Sequence, residues 1–100
     1  MNNSKTLNEI KEIIAKQKER LRHDYFVLEI GVFGSYSRGQ QKKSSDIDIL
    51  VEFEKPVGLF KFLRLETHLS NLLGKKVDLV TKPALKPRIG ERILQEVVYL

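Results

Sequence analysis

Cysteine is missing from the chain altogether, which excludes disulfides, thiolate zinc sites and a thiol nucleophile together. Tryptophan is also absent and tyrosine occurs only three times. The chain therefore lacks the aromatic-and-basic platform on which single-stranded nucleic acids stack. No run of about 18 apolar residues exists and the first residues are polar, so neither a membrane span nor a signal peptide is expected. With only three prolines and six glycines there is no linker-like tract, and no internal repeat is visible. A soluble, cytoplasmic protein is the expectation.

What is present fits one domain over residues 1–100. A hydrophobic fraction of 41% and a charged fraction of 31% are ordinary for a globular chain of 100 residues, and a second independent core would not fit. Eighteen basic against thirteen acidic side chains give a formal charge of +5. That balance favours anionic partners such as nucleotides, nucleic acid or an acidic protein surface. The basic residues are dispersed, however, with Lys42-Lys43 and Lys75-Lys76 the only adjacent lysines.

The apolar pattern predicts a small α/β (α+β) domain: a mixed three-stranded sheet flanked by helices. Thr6 and Glu9 have capping-box spacing, and Leu7, Ile10, Ile14 and Leu21 recur at roughly helical spacing, predicting a helical segment over 4–22. The core follows over 27–100. Val27 to Phe33 reads as a strand ending at Gly34-Ser35, and Asp46 to Phe53 as a second strand with Ile47, Ile49 and Val51 alternating against the aspartates. Leu59 to Leu73 reads as a helix stopped by Gly74, and Val77 to Thr81 as a third strand. After a turn bracketed by Pro83 and Pro87, Ile89, Ile93 and Val97 place an apolar stripe on a final helix.

The second strand carries the chemical clue. Asp46 and Asp48 lie two positions apart, so they share one face with Cα atoms roughly 6.5–7 Å apart. Aspartate is depleted in strands, and like charges on one face repel unless something positive lies between them. Magnesium takes oxygen ligands, commonly one or two carboxylates plus substrate phosphates. Taken alone, Asp-x-Asp is more often merely the polar half of a solvated strand, and only the features beside it shift that balance. Asp78, in Val77-Asp78-Leu79-Val80, would join the pair if the third strand lies beside the second with the same face outward. Gly34 allows close backbone approach to a phosphate and the Ser35 hydroxyl can donate to one. Arg38, Lys42 and Lys43 add positive charge near that turn.

Gly34-Ser35-Tyr36-Ser37-Arg38-Gly39, followed by Ser44-Ser45-Asp46-Ile47-Asp48-Ile49-Leu50-Val51, resembles the signature of the minimal nucleotidyltransferase (MNT) branch of the DNA polymerase beta-like nucleotidyltransferase superfamily. The resemblance spans nearly the whole chain, including Val77-Asp78-Leu79-Val80 and the segment from Lys86-Pro87-Arg88 to Leu100. It implies a nucleotidyltransferase-like fold in which Asp46, Asp48 and Asp78 are catalytic and bind metal, with two magnesium ions and ATP as substrate. Gly34, Ser35, Arg38 and Ser45 would then bind the nucleotide. Small MNT proteins resemble the antitoxin of HEPN–MNT toxin–antitoxin pairs, a type VII-like system in which AMP from ATP is placed on a tyrosine of the HEPN toxin. The expected partner is therefore such a toxin, with which the chain could form an oligomer; no nucleic acid is expected as direct ligand.

Little chain is left beyond the core to build a pocket for a small acceptor, so a macromolecule docking in trans on the first or last helix is expected. Two other readings stay open: an antitoxin acting by binding and occlusion without catalysis, and a small-molecule nucleotidyltransferase. His23 and His68 have no partner at metal-ligand spacing, and Phe60, Phe62, Leu63, Leu69, Leu72 and Leu73 read as core and interface.

Overall fold

A computed structural model describes residues 5–84 and 87–100. Residue 4, where the helical segment was expected to begin, Lys86, and the side chain of Ile89 in the expected apolar stripe lie outside the described residues.

Two helices, α1 (Leu7–Ala15) and α2 (Lys18–Tyr25), replace the single N-terminal helix that the spacing predicts. Thr6 caps α1 by accepting the Glu9 N–H at 3.2 Å, while its hydroxyl donates to the Glu9 carboxylate at 3.3 Å. Ile10, Ile14 and Leu21 are fully buried, but a continuous helix would have to bury Gln17 or Lys18 between them. The chain turns there instead, because polar side chains in that stripe would lose their water. Phe26 then takes a left-handed conformation at φ 58°, with the Lys55 and Lys61 ammonium groups 4.0 and 4.6 Å from its ring centroid.

Four strands form one mixed sheet in the order β3-β2-β1-β4. β1 (Val27–Phe33) and β2 (Ile47–Phe53) are antiparallel, and β3 (Val77–Thr81) runs parallel to β2. The helix α3 (Leu59–Leu73) makes the parallel crossover and ends at Gly74, whose φ of 65° is the left-handed C-terminal signal. The fourth strand corrects the expected three. Helix α4 (Pro87–Glu96) stops short of the C-terminus, and β4 (Val98–Tyr99) pairs antiparallel with Gly31 and Val32. Two residues are too few to show a period in sequence, and Val97-Val98-Tyr99, β-branched and aromatic, suits an edge strand better than a helix end.

Strand alternation sorts the sheet into two faces. Ile30, Val32, Ile47, Ile49, Val51, Val77 and Leu79 form the main core with Ile10, Ile14, Leu21, Leu65, Leu69 and Leu73 of α1 to α3. On the opposite face Phe33 and Leu50 pack with Ile93 of α4, joined by Val80 and Val97. Asp48 and Asp78 alternate onto this second face. The side chains expected as core and interface divide accordingly: Leu69 and Leu73 are buried, whereas Phe60 and Leu63 are exposed on α3.

The edge pairing that fixes α4 depends on Gly31. A Cβ there would stand 2.6 Å from Val97 Cγ2 and 3.1 Å from the Val98 carbonyl oxygen. Gly31→Ala is expected to cost about 1–3 kcal/mol through overpacking; an unchanged urea midpoint would contradict this.

Candidate active site

The sheet register assembles the acidic group. Phe33 stands opposite Asp48, and Asp48 is the in-register neighbour of Asp78 across the parallel pair. Neighbouring strands lie about 4.8 Å apart and registered residues share a face, so the Asp48 and Asp78 carboxylates start side by side. Asp46 precedes β2 on the same alternation; it is exposed and stands 3.9 Å from the Lys76 ammonium. Asp78 is exposed and Asp48 half-buried.

Asp48 is the strained member of the group. Burial, then the charges of Asp78, Asp46 and Glu96, push its carboxyl pKa above the ordinary value, against a smaller opposing pull from Arg38. Among the described residues it accepts no hydrogen bond from a donor side chain or backbone group. A half-buried carboxylate facing three others, with the weaker pull of Arg38 against them, carries uncompensated negative charge, and hard divalent cations with oxygen ligands can offset it. The donor set therefore fits magnesium. Among the described residues, however, no three acidic or histidine side chains are already gathered closely enough to hold an ion.

The turn after β1 brings donors to the same place. Gly34 to Tyr36 form one 3-10 turn, with Gly34 at φ 74°. A Cβ at Gly34 would collide with the Asp48 carboxylate, so glycine is required twice, for the backbone angle and for that approach. Tyr36 anchors the turn in the core at 1% exposure. Its hydroxyl is buried without a hydrogen-bond partner, and desolvation followed by the Asp46 charge raises its pKa.

Of the sequence-expected residues, Gly34, Arg38, Asp46, Asp48 and Asp78 converge. The Ser35 hydroxyl has no hydrogen bond among the described residues. Ser45 is engaged otherwise: its hydroxyl accepts the Lys42 N–H at 2.9 Å and its own N–H donates to the Lys42 carbonyl at 3.0 Å. It closes the turn that delivers Asp46.

Glu96, the last residue of α4, is the member that sequence reasoning missed. Its Oε2 accepts from the Arg38 guanidinium at 2.6 Å, the Gly34 N–H at 3.1 Å and the Ser37 hydroxyl at 3.4 Å. One glutamate in Leu94-Gln95-Glu96-Val97 carries no signal of this; only the fold brings it across. His23 is exposed beside Asp24, and His68 stacks on Tyr25 at 5.5 Å, so neither joins the site. A mainly apolar cavity of about 850 Å³ lies at the far end of β2 and β3 among Phe53, Pro56, Val57, Phe62 and Leu79, away from the carboxylates.

Comparison with known proteins gives one consistent answer. A family model described as a nucleotidyltransferase domain matches residues 9–100. A protein adenylyltransferase, MntA of Thermococcus cleftensis, is 53% identical over 95 residues, covering 95% of this chain and 96% of that one. Among solved structures, a chain provisionally named a minimal nucleotidyltransferase superposes with a TM-score of 0.77 at 32% identity, covering 99% of this chain and all of the other. A chain from a toxin–antitoxin crystal structure with AMP-PNP superposes at 0.73 with 28% identity, covering 89% of this chain and 70% of its own.

The crowding at Asp48 has a sign that can be measured. Its folded-state pKa lies above the unfolded value, so ionisation opposes folding once the pH exceeds both, and the penalty vanishes below the unfolded pKa. Asp48→Asn, which removes the charge and keeps the shape, is expected to raise the thermal midpoint of the metal-free protein by a few degrees at pH 7. The gain should shrink as the pH falls through the carboxylate range. A lower midpoint in the variant at pH 7 would contradict the account.

Proposed function

This chain belongs to the nucleotidyltransferase domain family, and from that premise we propose that it transfers AMP from ATP to a tyrosine hydroxyl of a HEPN-type toxin, in a magnesium-dependent reaction that silences the toxin. The observation that carries the reading is the registered Asp48–Asp78 pair beside Gly34 and Arg38. The adenylyltransferase name of the Thermococcus relative and the AMP-PNP in the toxin–antitoxin structure support it.

Each residue has a chemical task in this reading. Gly34 lets the backbone approach the triphosphate, the Ser35 hydroxyl donates to a phosphate oxygen, and Arg38 offsets phosphate charge. Ser45 acts through the turn it closes, setting the position of Asp46. Asp46 and Asp48, with Asp78, would hold magnesium, which when bound neutralises phosphate oxygens and the leaving group. Asp78 accepts the proton of the attacking hydroxyl. A bond forms between the acceptor oxygen and the α-phosphorus, the bond from that phosphorus to the β-phosphate oxygen breaks, and pyrophosphate leaves. Positioning and charge neutralisation supply most of the acceleration.

An acceptor docked in trans suits the exposed surface. Leu59 and Phe60 at the start of α3, 68% and 79% exposed, and Leu94 on α4, 47% exposed, are apolar groups that a partner protein could cover. The first helix, the other docking face suggested by sequence, offers no comparably exposed large apolar side chain among the described residues.

Incubating the chain with ATP labelled on the α-phosphate, magnesium and the HEPN partner should label the partner on tyrosine. Asp46→Asn with Asp48→Asn should reduce labelling at least 1000-fold while the fold survives. Undiminished labelling in the double variant would refute the assignment; tight partner binding without label from the wild type would point to occlusion instead.

A further inference from the structure

The Glu96 carboxylate makes the contacts that a phosphate oxygen would want. A single oxygen, Oε2, gathers the Arg38 guanidinium, the Gly34 N–H and the Ser37 hydroxyl at 2.6, 3.1 and 3.4 Å. Two of these three donors belong to residues assigned above to the nucleotide. Glu96 is 20% exposed and Arg38 49% exposed at the side chain, so the pair is shielded on the carboxylate side and open to an incoming ligand on the other.

We propose that Glu96 is an internal stand-in for a nucleotide phosphate: it occupies the Gly34–Arg38 cradle in the empty protein and must leave when the triphosphate enters. This rests on the nucleotidyltransferase reading and adds a regulatory element to the same site. A monoanion satisfies the donors without ligand, so the turn and Arg38 stay shaped for an anion rather than collapsing onto Asp48. Charge-assisted hydrogen bonds of this kind are strong enough to hold the turn. Triphosphate oxygens offer the same donors more charge and more acceptors, so they can displace the side chain. The apparent affinity of the protein for nucleotide is lowered by the fraction of molecules in which the cradle is taken.

The placement also has a cost that a simple brace would not carry. Glu96 is close enough to Asp48 for the two negative charges to oppose each other. Releasing Glu96 on nucleotide entry removes one carboxylate from an already crowded acidic face while the phosphates arrive.

The stand-in and the brace make opposite predictions for Glu96→Gln, which keeps the size and an acceptor oxygen but removes the charge. Thermal midpoints without ligand and ATP–magnesium affinity by calorimetry would be measured on the wild type, Glu96→Gln and Glu96→Ala. Both variants should melt lower without ATP yet bind ATP roughly three- to tenfold tighter, the size expected for a partly exposed ion pair released from competition. Loss of stability and affinity together, or unchanged affinity, would overturn the stand-in. Wild-type binding without a gain in either variant would sink this inference alone. Absence of ATP binding in all three proteins would remove the nucleotide reading with it.

Discussion

Register between β2 and β3 is the constraint on which the rest depends. Because Asp48 pairs with Asp78 and faces Phe33, one choice of strand alignment decides whether the acidic side chains share a face. A slip of one residue would turn Asp48 into the main core and Ile47 and Ile49 out of it. The fully buried Ile47, Ile49 and Val51 therefore protect the site's geometry through ordinary hydrophobic burial. The apolar residues next to the carboxylates hold them in a position that their own mutual repulsion disfavours.

Charge is arranged in two opposed halves around that register. On the sheet, Asp46, Asp48 and Asp78 concentrate negative charge, offset in part by Lys76 beside Asp46 and by the weaker pull of Arg38 on Asp48. On the turn above, Gly34, Ser37 and Arg38 present donors aimed at an anion, and Glu96 answers them. A cation bound to the first half and a polyanion bound to the second would each satisfy what the protein leaves unsatisfied. A metal–triphosphate complex carries both. Magnesium commonly shares its ligands between carboxylates and phosphates.

Much of the fold was legible in the sequence, because its strongest signals are local. Val27–Phe33, Leu59–Leu73 and Val77–Thr81 have clear apolar patterns and turn residues at their ends, and the structure places elements at those spans. The kink after Ala15 was not legible, since Leu21 falls close enough to the helical period to hide two polar positions between it and Ile14. β4 was hidden for a different reason: a two-residue edge strand is defined by its partner, Gly31, rather than by its own pattern. The acidic residues could be read because Asp-x-Asp on a strand violates propensity. Glu96 could not, because a glutamate at a helix end is unremarkable until tertiary packing carries it 62 residues along the chain to Gly34.

On the reading proposed here, a divalent ion and a nucleotide meet at the registered carboxylates beside the Gly34 turn. Manganese, added substoichiometrically with a non-hydrolysable ATP analogue, broadens nuclear resonances near the ion. The account predicts that the backbone amides of Gly34, Asp48 and Asp78 broaden first, while those of the apolar cavity at Phe53 and Val57 remain sharp. Broadening centred on Glu52 and Glu54, or none near Asp48, would contradict it.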